Sequence, residues 1–135
     1  MTKDQFELMI RKYRELVQKW RMAEKYIIRA FSIDDDNAET LYTMGEIRKL
    51  GNQNEIAIYC FKRIIKLGVN TIAKQQYSRG RSFARELIND ARFELYRLYF
   101  ESDPKKSAKY LREYKDNLAK GTETIFEPLK KFKLS

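Results

Sequence analysis

From residue 4 to residue 31 the chain contains neither Gly nor Pro, and its large apolar residues fall three and four apart. Phe6, Met9, Ile10, Tyr13, Leu16, Val17 and Trp20 share one face of a helix, and Ala23, Ile27, Ala30 and Phe31 continue it. That spacing excludes a strand, whose apolar side chains alternate in twos. The rest of the chain has the same grammar. Five Gly and two Pro serve 135 residues, and neither clusters. A chain so poor in breakers folds as helices.

The stop signals place the helices. "IDDDN" ends the first stretch, and Asp36 or Asn37 can accept from the free N–H groups that open a helix over about 38–50. Gly51 is expected to close that helix in a left-handed conformation. A further helix over 55–67 ends at Gly68. Ser82 opens a helix running to about Phe100, and Asp103-Pro104 opens another that Gly121 ends. Ile125, Phe126, Leu129 and Phe132 in the tail have the spacing to lie on the last pair.

The chemistry that is missing is informative. With no histidine, the usual general base, the Ser-His and Cys-His nucleophile pairs and the commonest zinc ligand are gone. Cys60, the one cysteine, cannot form an intramolecular disulfide and falls between Ile56 and Ile64 as a small core residue. The "DDDN" run lacks the alternating oxygens, glycine and distant glutamate of a calcium loop. No cofactor, metal or catalytic residue is expected. The chain reads as non-enzymatic.

No stretch approaches the ~18 uninterrupted apolar residues of a membrane span, and the first residues carry no signal-peptide pattern. A cytoplasmic protein that does not engage membranes is the expectation. The net charge of +9 is tilted toward residues 91–135, which hold +4 of it. An excess of that kind suits an acidic partner surface.

Ala23 and Ala57 stand 34 residues apart, each followed four residues later by a large apolar residue, Ile27 and Phe61. Leu41, Met44, Gly45 and Arg48 precede Ala57, and Val69 follows. These positions resemble the tetratricopeptide repeat (TPR), whose pattern is Trp-x2-Leu-Gly-x2-Tyr, then Ala-x3-Phe, then Pro. Matching Ala108 to Ala57 puts Arg92, Leu95, Tyr96 and Tyr99 on the corresponding first-helix positions of another pair. Tyr96, where Gly is usual, and Arg112, where an aromatic is usual, depart from the pattern. The interval from Ala57 to Ala108 is one repeat plus 17 residues, so a segment has been inserted.

The resemblance implies an all-α, TPR-like right-handed solenoid of about three antiparallel helix pairs. Residues 4–36 would be a degenerate first pair, or one long helix, since no turn residue separates Val17 from Met22. Residues 37–68 would be the second pair, 69–81 the inserted connection, 82–120 a third pair with an extended first helix, and 121–135 a tail.

It also implies a groove for a polypeptide partner. The groove positions are Glu39, Tyr42, Glu46 and Lys49 in the second pair, and Asp90, Phe93, Arg97 and Phe100 in the third. Tyr42, Phe93 and Phe100 either meet a partner or pack on the tail. Arg79 and Arg81 at the tip of the connection, with Arg85 on the helix after it, suit carboxylates or phosphates. Glu39 and Glu46 disfavour the subfamily that clamps a terminal carboxylate. Small bacterial proteins of this kind include toxin-neutralising immunity proteins and secretion chaperones. The alternatives are a basic nucleic-acid-binding protein and a self-associating unit or homodimer. Acidic residues interleaved along nearly every helix make nucleic acid the weaker option.

Overall fold

The computed structural model describes residues 1–126. Five helices make up most of the described backbone, α1 Lys3–Ile33, α2 Ala38–Leu50, α3 Asn54–Ala73, α4 Arg81–Tyr99 and α5 Pro104–Ala119. No strand occurs among the described residues. Each helix packs on the one that follows it in the chain, and α2 also reaches α4.

The expected first pair over 4–36 is a single helix. Thr2 opens α1 by accepting from the Gln5 N–H at 3.2 Å while Gln5 Oε1 accepts from the Thr2 N–H. Gln18, Lys19 and Arg21 are good helix formers, and nothing between Val17 and Met22 stops the helix. It therefore runs without a turn to Ile33. Asp34 Oδ1 then accepts from the Asp36 N–H, and Asn37 caps α2 by accepting from the Thr40 N–H at 3.0 Å. Asp36 is not the cap. Its carboxylate takes a two-pronged guanidinium contact from Arg63 of α3, at 2.8 and 2.6 Å, which holds the carboxyl below its usual range.

Gly51 ends α2 at φ −87°, so the expected left-handed glycine is corrected. Asn52, at φ 59°, takes the left-handed position instead, as asparagine tolerates. A Cβ on Gly51 would stand 3.4 Å from the Trp20 ring, an ordinary van der Waals contact with α1.

The core lies between α2, α3 and α4. Leu41, Ala57, Phe61, Ile64, Ala84, Ala91 and Leu95 are fully shielded from water. Burying each large one is worth about 1.5–3 kcal/mol. Phe61 lies against Gly45 within its own hairpin and meets Tyr42 edge-on at 5.2 Å. Cys60 is buried with them, and burial pushes its thiol up to about 11.

The connection is shorter than 69–81. Gly68 breaks α3 at φ 79°, but Val69–Ala73 resume the helix and bury Ile72 in the core. Gln75 then fastens the segment to the start of α2, its amide donating to the Asp36 carbonyl at 2.6 Å and its oxygen accepting from the Ala38 N–H at 2.9 Å. Arg81, expected in the connection, is the first residue of α4.

Asp103 caps α5 by accepting from the Lys106 N–H, with Pro104 at the first helical position. The tail after Gly121 folds back on α4 and α5. Thr124 is buried, and the Phe126 ring lies tilted against Phe93 with centroids 4.4 Å apart. Leu129 and Phe132 lie outside the described residues.

Candidate binding cleft between α2 and α4

Where α2 reaches α4, their facing side chains leave an open cleft of about 210 Å³. Glu39, Tyr42, Thr43 and Glu46 form one wall, four consecutive positions on one face of α2. Phe83, Glu86, Leu87 and Asp90 form the other, and Ile125 of the tail closes the end. The walls are acidic on a protein that is basic overall.

Asp90 is the most constrained of these acids. Tyr114 shares its hydroxyl proton with Thr124 Oγ1 at 2.6 Å, Thr124 donates to Asp90 Oδ1 at 2.6 Å, and the Ile125 N–H donates to Oδ2 at 3.2 Å. Burial outweighs those donors and lifts the carboxyl to about 7, with Glu86 and Glu94 adding to the rise. Glu46 is also held above its usual range, first by burial and then by Glu94, with Lys49 opposing.

Tyr42 lines the same cleft and is only 6 % exposed. Its hydroxyl is buried without a hydrogen-bond partner. Burial raises its pKa above the ordinary value, and the charges of Glu94, Asp90 and Glu46 raise it further. A buried hydroxyl left unpaired costs about 1–3 kcal/mol, so a group that paired with it would recover that loss.

The structure brings together Glu39, Tyr42 and Glu46, and it sets Arg79 at the rim. Arg79 lies 3.3 Å from Glu39 and 4.6 Å over the Phe83 ring. Lys49 is drawn into an ion pair with the buried Glu94 of α4, which also has Arg97 at 3.8 Å. Phe93 packs on Phe126 and on Tyr114, at 4.4 and 5.0 Å, beneath the tail. Phe100 is exposed at the end of α4, edge-on to Tyr96. Arg81 donates to Asn70 at 2.6 Å, and Arg85 is exposed but does not line the cleft.

Sequence reasoning named Glu39, Glu46 and Asp90 but missed the other two acids of α4. Glu86, Asp90 and Glu94 recur at steps of four, which puts all three on one face of α4.

A larger hollow of about 350 Å³ lies where α1 ends, among Ala30, Ile33, Asn37, Ile72 and Gln75. Its amides are already spent on the cap and on the Gln75 clasp. No group of three His, Cys, Asp or Glu side chains among the described residues converges as metal ligands. No described helix is long and apolar enough to cross a membrane. No protein-family model matches the chain, and neither a curated protein nor a solved structure matches it.

Proposed function

We propose that the chain is a non-enzymatic polypeptide-binding module, a short TPR-like stack in which the α2–α4 cleft holds a cationic segment of its partner. The stacking of successive helices and the fit of Phe61 against Gly45 support the repeat reading. The observation that carries the binding reading is the unpartnered Tyr42 hydroxyl among the carboxylates of Glu39, Glu46, Glu86 and Asp90.

A lysine, arginine or free amine entering there would offset the burial, and the lesser repulsion from Glu94, that keep Glu46 and Asp90 hard to ionise. It would also donate where the cleft offers only acceptors and one stranded hydroxyl. The basic remainder of the surface would steer toward acidic regions of the same partner, leaving the cleft to read a cation.

The test is a peptide array probed with the full chain. Lys- or Arg-containing peptides are expected to bind, and Glu46→Lys is expected to weaken them at least tenfold with the melting temperature held within a few degrees. Equal binding of acidic and basic peptides, or no effect of Glu46→Lys, overturns the reading.

A further inference from the structure

A second surface of α1 shares no residue with the cleft. At about 1.5 Å per residue, α1 is roughly 46 Å long. The antiparallel α2 covers only its C-terminal part, for Arg48 pairs with Glu24 and Gly51 sits beside Trp20. Below Trp20, every residue from Lys3 to Leu16 is exposed. Phe6, Met9, Tyr13 and Leu16 are 55 %, 55 %, 66 % and 64 % exposed, and Ile10 borders them.

These residues are not scattered. Phe6, Met9, Tyr13, Leu16, Trp20, Ala23, Ile27 and Ala30 step by three and four without a miss, which is the seam of a coiled coil. The upper part of this seam meets α2, with Ile27 buried and Trp20 packed against the core. The lower part has the same register and no partner among the described residues. A free helical segment of that length is marginal in water, so something must pack on it to keep it helical.

We infer that the lower part of α1 pairs antiparallel with the same segment of a second copy. The stripe is symmetric under reversal about the level of Arg11: Phe6 meets Leu16, and Met9 meets Tyr13. Ile10 then faces its own copy near the twofold axis. The same reversal sends Lys3 to Lys19, so the overlap uses the whole uncovered segment and stops where α2 begins. An interface of this kind closes on itself in a dimer.

Area agrees with a pair of copies. Lys12 flanks the axis with its stem over the stripe and its ammonium in water. At about 200 Å² per fully exposed large side chain, the five apolar residues bury roughly 1,100 Å² across two copies. With the stems of the flanking Lys and Arg, the total reaches about 1,200 Å², the lower end of specific interfaces.

The test is sedimentation velocity on the full chain from about 1 to 200 µM. A shift from 16.2 kDa to twice that mass is expected, together with a loss of helical circular dichroism on dilution. Leu16→Glu is expected to weaken the dimer at least tenfold while the melting of the remaining helices is unchanged. For orientation, Phe6→Cys and Leu16→Cys proteins mixed under mild oxidation should cross-link to each other and neither to itself. Cys60 is buried and leaves that result clean. A monomer at every concentration, self-cross-linking of Phe6→Cys, or a Leu16→Glu protein that still dimerises overturns the inference. Monomers whose stripe instead binds anionic phosphatidylserine vesicles would overturn it too, and would assign the stripe to a lipid surface.

Discussion

The ring of Phe61 stands where a side chain on Gly45 would begin. A Cβ built there lies 2.6 Å from Cζ and under 3 Å from both Cε atoms. Phe61 is fully buried and has nowhere to retreat.

Gly45→Ala is therefore expected to destabilise the protein by up to about 2 kcal/mol, the overpacking of about 1–3 kcal/mol less the roughly 1 kcal/mol that alanine gains in a helix. In a Phe61→Leu background the same substitution should be neutral or stabilising. A double-mutant cycle by urea denaturation checks this, and additive effects would mean the two residues do not compete for space.

Asp90 sets a pH dependence. Its folded pKa of about 7 lies above the ordinary 3.8, so the folded state binds a proton more tightly than the unfolded one. The resulting stability is complete below about pH 4 and is lost as pH rises through 7. Thermal unfolding between pH 4 and 8 is expected to show a loss of up to about 4 kcal/mol from this group. Asp90→Asn should remove that part of the slope. An unchanged slope would place the titration elsewhere.

The same carboxyl governs the cleft. Because Asp90 ionises near neutrality, cationic peptides should bind more tightly at pH 8 than at pH 6. Tyr42→Phe supplies the control: removing an unpaired buried hydroxyl should raise stability, by at most the roughly 1–3 kcal/mol that leaving it unpaired costs. If a peptide uses the hydroxyl, Tyr42→Phe weakens binding several-fold without loss of stability. Titration calorimetry at the two pH values measures both effects.

Lys49 and Glu94 tie α2 to α4. The Glu94 side chain is 3 % exposed, and without Lys49 its one ion-pair partner among the described residues is Arg97, at 3.8 Å. Lys49→Met is expected to cost about 3 kcal/mol, since a buried charge loses its main partner. Lys49→Met with Glu94→Leu should recover most of the loss. A double variant as unstable as the single would show that the cost lies in packing.

The helices were legible because their signals are local. Asn37, Asp103-Pro104 and Gly121 mark ends by their own chemistry, and the spacing from Phe6 to Phe31 needs no partner to be read. The left-handed residue after α2 was not legible. Gly51 has the freer backbone, yet Asn52 takes the left-handed position, and Gly51 lies beside Trp20, a neighbour distant in sequence. The cleft divides the same way. Glu39, Tyr42 and Glu46 follow from one helix face, but the unpaired hydroxyl and the high pKa of Asp90 arise from burial. Burial depends on α4 and the tail, which no spacing within α2 can announce.

Stacking each helix on its successor also shapes how quickly the chain finds its fold. The interfaces α1–α2, α2–α3, α3–α4 and α4–α5 all join consecutive segments, so little loop entropy is lost before contacts repay it. Such a chain should collapse into helical hairpins within milliseconds. The clasp from Gln75 to Asp36 and Ala38 and the bond from Thr124 to Asp90 reach back more than thirty residues. In stopped-flow refolding they belong to the final step, and their loss should quicken unfolding more than it slows folding.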